Sequence, residues 1–150
     1  MTGKLVKRGL MVLQDYSVPV LMRARIEQVM RKEFTTLNPE DEVKIVVRDV
    51  TPETTGVMPV VENDGKLAGI VEARDLLKGV DSDLKIRDVA RQDYVVARRG
   101  ESVRLVMGEM EAHNTENVVV VDRDGNTTPI GVARAADILR LSRWFTEEES

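Results

Sequence analysis

The chain repeats itself, and this repeat restricts its fold more than any other feature, because two copies of one unit must fold alike and pack together. A shift of sixty residues aligns the first half with the second, and after a turn the shift becomes sixty-two. The extra residues of the second copy lie at 126–130, where a loop accommodates them. The aligned residues are Ile26, Arg31, Phe34, Val60-Val61, Asp64-Gly65, Gly69 and Asp75 with Ile86, Arg91, Tyr94, Val120-Val121, Asp124-Gly125, Gly131 and Asp137.

The spacing of apolar residues gives the element order of each copy. In each copy, four apolar residues recur at positions i, i+3, i+4 and i+7, and this spacing places them on one face of a helix. They are Val43, Val46, Val47 and Val50 in the first copy and Val103, Val106, Met107 and Met110 in the second. We expect the first of these helices to begin just after Asn38-Pro39, with the acidic residues 40–42 in its first turn. Strand 58–62, turn 63–65, strand 66–71 and helix 73–78 follow, and the second copy repeats them at 118–122, 124–125, 130–133 and 135–143. Each copy is therefore predicted to be β-α-β-β-α, which makes the fold α+β.

Composition excludes several functions. The absence of cysteine rules out disulfides, thiolate metal sites and thiol nucleophiles, and it favours a cytoplasmic setting. A net charge of −4 with 3% aromatic residues argues against nucleic-acid binding. Because no run of about eighteen apolar residues exists, the sequence predicts a soluble domain. His113 is the single histidine and lies in a polar stretch, so we expect neither an enzyme nor a metal site.

Two segments, each after a predicted strand and an Asp-Gly turn, carry a family resemblance. Gly69-Ile-Val-Glu-Ala-Arg-Asp75 and Gly131-Val-Ala-Arg-Ala-Ala-Asp137 resemble the closing motif of CBS domains, which are named after cystathionine beta-synthase. Ile26-Glu-Gln-Val-Met30 resembles the opening motif of that family, and Met58-Pro59-Val60-Val61 resembles its central strand. The resemblance implies tandem CBS domains at 23–80 and 81–143, packed into one disc-like module, with a leader at 1–22 and an acidic tail at 144–150.

The resemblance also implies up to two clefts between the copies for adenosine-containing ligands such as ATP, ADP or AMP, and no required cofactor. Asp75 and Asp137 would accept hydrogen bonds from ribose hydroxyls, although the dipole of a helix also favours an acidic residue in its first turn. Ligand-binding members usually carry a hydroxyl residue three positions after the motif glycine, where this chain has Glu72 and Arg134. Because a carboxylate repels phosphate and a guanidinium attracts it, we expect at most one nucleotide per chain, held by Asp137 and Arg134. The further residues implied to line the base are Thr35, Thr36, Thr55 and Gly56.

The remaining expectations concern partners. Gly3-Lys-Leu-Val-Lys-Arg-Gly9 and the segment 54–61 resemble parts of prokaryotic chloride channels and chloride/proton antiporters, which implies the cytosolic domain of a membrane transporter. The excess of Lys and Arg in residues 1–32 fits a cytoplasmic juxtamembrane segment. Magnesium transporters, ABC transporter ATPases and nucleotide-synthesis enzymes remain open as alternative parents. The Val-rich and Met-rich helical faces predict a homodimer, and the alternative function is a structural dimerisation module without a small-molecule ligand.

Overall fold

The helices and strands follow the repeat. The computed structural model describes residues 23–50 and 56–138. Helical backbone continues over 135–138 after the last strand, so most of the predicted helix 135–143 lies outside the described residues. The elements are α1 (Ile26–Val29), α2 (Val43–Asp49), β1 (Met58–Val61), β2 (Leu67–Val71) and α3 (Ala73–Leu77) in the first copy, and α4 (Ile86–Val89), β3 (Val95–Arg98), α5 (Val103–Ala112), β4 (Asn117–Val121) and β5 (Pro129–Arg134) in the second.

Helix α2 forms because its apolar period places valines on one buried face, and this burial outweighs the low helix propensity of valine. The predicted start of the helix is wrong. Residues 39–41 form a turn instead, and the helix begins at Val43 with Glu42 as an extended N-cap. The carbonyl oxygen of Pro39 accepts a hydrogen bond from the backbone N–H of Arg87 at 3.0 Å. The turn at 39–41 therefore accepts a backbone hydrogen bond from the first turn of α4, and it does not form the start of α2.

The two sheets differ by one strand. β1 and β2 form an antiparallel pair, whereas the second sheet has the order β3-β4-β5, with β3 parallel and β5 antiparallel to β4. Both hairpins carry an irregularity at the same repeat position, after Val60 and after Val120. The order β-α-β-β-α is complete in the second copy. In the first copy the opening strand is a single parallel bridge between Leu37 and Val60, because Pro39 has no N–H with which to extend the pairing.

Each opening helix packs into the core of the other copy. Ile26 of α1 lies among the buried residues of β3, α5 and β4, and Ile86 of α4 lies among those of α2, β1 and α3. Backbone bridges fix this exchange at equivalent repeat positions, namely Arg25 with Ser102 and Lys85 with Glu42. A third buried cluster joins the copies and consists of Val57, Ile70, Val119 and Val132, with Phe34, Leu67 and Tyr94 packed against it. The two copies therefore share their packing and form one unit.

The apolar helical faces on which the dimer prediction rests are largely buried within the chain's own cores. Their buried members are Val43, Val46, Val103, Val106, Met107 and Met110. The outer faces of α2 and α5 instead expose Ile45 and Leu105, which occupy equivalent repeat positions and are 50% and 52% exposed. The homodimer stays a prediction, and these two side chains are now its basis. No helix within the described residues is long and apolar enough to cross a bilayer.

Candidate functional site at the two crossings

The segment after each opening helix crosses onto the closing strand of the other copy. The backbone N–H of Arg31 donates to the carbonyl oxygen of Val132 at 2.7 Å, and the carbonyl oxygen of Arg31 accepts from Val132 N at 3.1 Å. Arg91 exchanges the same two hydrogen bonds with Ile70, at 2.8 and 2.9 Å. Each crossing therefore places an arginine beside the closing motif of the other copy.

The motif glycines permit these crossings. A Cβ atom added to Gly131 would lie 3.1 Å from the carbonyl oxygen of Arg31, and one added to Gly69 would lie 3.1 Å from the carbonyl oxygen of Arg91. Both distances are tighter than ordinary side-chain contacts, and a backbone oxygen that is fixed by hydrogen bonds has little freedom to move away. The close approach of two backbones thus explains the glycine of each motif.

The first crossing, which we call the Asp75 junction, consists of Glu72 and Asp75 from the first copy and Arg91 and Asp93 from the second. The Asp75 side chain is 1% exposed. Its Oδ2 accepts hydrogen bonds from the Glu72 backbone N–H at 2.8 Å and from Arg91 Nε at 3.0 Å. Arg91 also donates from Nη2 to Glu72 Oε2 at 2.5 Å and from Nη1 to Asp93 Oδ2 at 3.2 Å. One guanidinium therefore holds three carboxylates.

Charge pairing stabilises the buried side chains of the Asp75 junction. Burial alone lowers the pKa of Arg91, but the hydrogen bond to Asp75 and the charges of Asp75, Glu72 and Asp93 outweigh burial and raise that pKa above its ordinary value. Asp75 lies in the first turn of α3, as the helix alternative expects, and it exposes almost no surface to a ribose. Within the described residues no three His, Cys, Asp or Glu side chains are arranged to hold a metal ion.

The second crossing, which we call the Asp137 junction, consists of Arg31 from the first copy and Arg134 and Asp137 from the second. Asp137 Oδ2 accepts the backbone N–H of Arg134 at 2.9 Å, which reproduces the arrangement of Asp75. Arg31 Nε lies 3.5 Å from Asp137 Oδ1, beyond ordinary hydrogen-bond length, and the Arg31 side chain is 45% exposed. The arginine of this junction is therefore held more loosely than Arg91.

The two junctions meet through Glu72 and Arg134. Arg134 Nη2 lies 3.1 Å from Glu72 Oε1, an ion pair without hydrogen-bond geometry. The repeat predicts that these residues belong to separate clefts, one repelling and one attracting phosphate. That separation is wrong, because equivalent repeat positions face each other where the two copies meet, and their charges compensate.

Thr35 and Thr36 lie on the segment between α1 and α2. The segment is fixed at one end by the pairing of Arg31 with β5 and at the other end by the bridge from Leu37 to β1. Thr35 is half-buried and Thr36 is exposed. The threonines implied by the resemblance therefore sit between the second copy's sheet and the first copy's sheet, on the segment that leads away from the Asp137 junction.

The other residues implied to line the base precede β1. Gly56 has φ +117°, a conformation that favours glycine, and Val57 follows it in the buried cluster between the copies. Thr55 lies outside the described residues. Gly56 therefore directly precedes a residue of the buried cluster between the copies, whereas Asp75 belongs to the Asp75 junction.

The sequence did not identify Arg31, Arg91 or Asp93 as residues of the junctions, nor Asn117 beside them. Arg31 and Arg91 occupy the same repeat position, and that coincidence was the available signal. Asn117 is buried at the start of β4, and its Nδ2 donates to the carbonyl oxygen of Asp93 at 3.0 Å. The equivalent of Asn117 in the first copy is Val57, which has no amide, so this side-chain hydrogen bond has no counterpart at the Asp137 junction within the described residues.

Comparisons with known proteins agree with this fold. A family model described as CBS domain matches residues 26–82 and 86–143. An uncharacterized protein of Methanocaldococcus jannaschii, MJ1232, is 25% identical over 144 residues, which cover 93% of this chain and 48% of that protein. The chain thus spans about half the length of this relative.

Two solved structures are similar in fold. The CBS domain pair of protein MJ0100, in complex with 5′-methylthioadenosine and S-adenosyl-L-methionine, has a TM-score of 0.68 and 22% identity, with 81% of this chain and 98% of that chain covered. The cytosolic domain of the Mg2+ channel MgtE, in complex with ATP, has a TM-score of 0.65 and 22% identity, with 78% of this chain and 48% of that chain covered. At these identities the likeness shows the fold alone.

Proposed function

This chain belongs to the CBS domain family, and we propose that it is a regulatory module that binds one adenine nucleotide at the Asp137 junction on behalf of a larger protein. The two similar structures support the ligand class, because ATP, S-adenosyl-L-methionine and 5′-methylthioadenosine all contain adenosine. The module has no catalytic task in this proposal. Nucleotide binding to the module instead changes the state of the larger protein that carries it.

The observation that carries the proposal is the different state of the two motif carboxylates. Asp75 is 1% exposed, and one of its oxygens already accepts two hydrogen bonds. Asp137 is 10% exposed, and its Oδ1 faces a guanidinium 3.5 Å away that is itself half in solvent. A ribose hydroxyl can compete with this long ion pair for Asp137, whereas at Asp75 it would have to break a buried hydrogen-bond network.

The base and the phosphates then have separate places. In this proposal Thr35, Thr36 and Gly56 line the base, together with Thr55, which the resemblance implies and which lies outside the described residues. Arg134 binds phosphate, because its guanidinium is 41% exposed and can turn from Glu72 to a ligand anion.

A thermal-shift screen with ATP, ADP, AMP and S-adenosyl-L-methionine tests the proposal, followed by calorimetric titration of the ligands that stabilise. A ligand at one hundred times its dissociation constant stabilises the fold by about 2.7 kcal/mol. We expect a stoichiometry of one nucleotide per chain. A stoichiometry of two, or no stabilisation by any of the four compounds, contradicts the proposal.

The parent that we propose is a membrane channel or transporter of the chloride channel kind, with this module on its cytosolic side. The resemblance of residues 3–9 and 54–61 supports this parent, and so does the excess of Lys and Arg in residues 1–32. Chloride flux in vesicles that carry the full parent, measured with and without ATP, tests the assignment. Flux that does not change with nucleotide would contradict it.

A structural dimerisation module is the second candidate function, and the exposed pair Ile45 and Leu105 favours it. These apolar side chains stand at equivalent positions of α2 and α5, so a second copy could cover both around one two-fold axis. Light scattering at micromolar concentration decides between monomer and dimer. A strictly monomeric mass, or a dimer that Ile45→Lys leaves intact, removes this candidate.

A further inference from the structure

We infer that Arg31 is a second phosphate-binding residue of the Asp137 junction, and that it makes the junction select phosphorylated adenosine ligands over neutral or cationic ones. The inference rests on the proposed function, since it assumes that the ribose binds to Asp137. It adds a residue that lies outside the closing motif and on the other copy of the repeat.

The first step is the contrast between equivalent arginines. Arg91 donates to Glu72, Asp75 and Asp93, and its side chain is 22% exposed. Arg31 faces Asp137 at 3.5 Å and its side chain is 45% exposed. The position equivalent to Asp93 is Glu33, which is exposed and makes no ion pair with Arg31 within the described residues. Arg31 therefore has a guanidinium that can rearrange.

The second step concerns the backbone of Arg31, which stays in place when the guanidinium rearranges. The backbone of Arg31 is held on β5 by its two hydrogen bonds to Val132, so the Cα position stays beside Asp137. Ribose hydroxyls that donate to Asp137 compete with the Arg31 guanidinium for the same carboxylate. The displaced guanidinium is then left near the ligand without its former counter-charge.

The third step is the choice of new partner. Phosphate matches the planar donor fork of arginine and restores the lost charge pairing, whereas adenosine offers no anion. S-adenosyl-L-methionine brings a sulfonium cation toward Arg31 and Arg134, and that contact is repulsive. The junction should therefore prefer AMP and ATP to adenosine and to S-adenosyl-L-methionine.

The experiment measures the affinities of AMP, ATP, adenosine and S-adenosyl-L-methionine by calorimetry for the wild-type chain and for Arg31→Gln. The variant should lose about tenfold or more in affinity for AMP and ATP, the loss expected for a charge-assisted hydrogen bond, and should keep its affinity for adenosine. Its preference for AMP over S-adenosyl-L-methionine should narrow. Arg48→Gln is the matched control, because Arg48 is an exposed arginine on α2 and should leave every affinity unchanged.

The outcomes separate this inference from the proposed function. An equal loss for adenosine and AMP, or no loss for AMP, overturns the role of Arg31 while the proposed function stands. No binding of any adenosine compound to the wild type overturns the proposed function and this inference with it. If Arg31→Gln does not fold, Arg31→Lys takes its place. Lysine keeps the charge without the donor fork, so a lowered ratio of AMP to adenosine affinity supports the inference and an unchanged ratio overturns it.

Discussion

The two junctions arise from one repeated unit, yet the same arginine and the same aspartate behave differently in each. Asp75 is almost fully buried and shares Arg91 with two other carboxylates, whereas Asp137 is partly exposed and faces Arg31 across 3.5 Å. The aspartate of a closing motif is therefore compatible with a structural role and with a ligand site. Its surroundings decide between them.

Three differences between the copies produce the contrast. The Asp75 junction has an acidic residue that reaches its arginine and an amide that fixes the opening segment, and among residues 23–50 and 56–138 the Asp137 junction has no equivalent of either contact. The third difference is that a carboxylate of the first copy forms an ion pair with a guanidinium of the second copy. The residue pairs concerned are Glu33 and Asp93, Val57 and Asn117, and Glu72 and Arg134. None of these pairs includes the glycine or the aspartate that the closing motifs of both copies share.

Removing the arginine of each junction should give the largest difference. Arg91→Met removes the guanidinium that is hydrogen-bonded to buried Asp75 and leaves Lys78, at 3.8 Å, as the nearby cation of this carboxylate. Glu72 keeps its ion pairs with Arg74 and Arg134, so the free energy of unfolding should fall by about 3 kcal/mol, the lower end of the loss for a broken buried ion pair. Arg31→Met breaks a long and exposed ion pair and should cost about 1 kcal/mol or less. Urea unfolding of both variants measures the contrast. Equal losses of unfolding free energy would show that Arg91 is held no more firmly in its junction than Arg31 is in the other.

Truncating the aspartate of each junction tests the comparison through ligand affinity. Asp137→Ala should remove the ribose hydrogen bonds, which are worth about 1.5 to 3 kcal/mol when charge-assisted, and should weaken nucleotide binding at least tenfold. Asp75→Ala should lower stability but change affinity much less. Titration with ATP and AMP, at a temperature where both variants are folded, gives the answer. A greater loss of affinity from Asp75→Ala would reverse the assignment of the site.

The loops of the two hairpins differ as well, and the effect of this difference can be measured as a change in the free energy of unfolding. The extra residues of the second copy place Thr128 Oγ1 2.9 Å from the carbonyl oxygen of Gly65, in the turn of the first copy. Thr128→Val removes this hydrogen bond and should cost about 1 kcal/mol. Thr128→Ser keeps the hydroxyl and should retain most of the stability. Equal stability of the Val and Ser variants would mean that the loop does not couple the hairpins.

Much of the fold could be predicted because it depends on local patterns. The spacing of valines and methionines indicated α2 and α5, and the Asp-Gly pairs indicated turns in which Gly65 and Gly125 adopt φ +88° and +84°. The start of α2 could not be predicted in the same way. The turn before it is held by the backbone of Arg87, which belongs to the other copy.

The candidate site could be predicted only as a list of residues. The motif named Asp75, Arg134 and Asp137, but their partners come from segments more than fifteen residues away in the sequence. The contact between Glu72 and Arg134 depends on how the two copies face each other. A repeat specifies that two positions are equivalent, and it does not specify whether they touch.

The smallest expected effect concerns Tyr94 and Phe34, which occupy equivalent positions against the buried cluster between the copies. Burial raises the pKa of the Tyr94 hydroxyl above its ordinary value. In the unfolded chain the hydroxyl ionises near pH 10, while the folded chain keeps its proton to higher pH. The contribution of this group to stability is therefore complete below about pH 10 and is lost as pH rises through the folded pKa.

Tyr94→Phe makes the two copies alike at this position and removes the titrating group. At pH 7 the free energy of unfolding should change by less than about 0.5 kcal/mol, because the ring and its packing remain. Above about pH 10 the variant should lose stability less steeply than the wild type, since unfolding no longer releases a proton from this residue. All other titrating groups are common to the two chains, so the difference between the two curves reports Tyr94 alone. Parallel curves up to pH 11 would mean that the hydroxyl is as accessible to water in the folded chain as in the unfolded one.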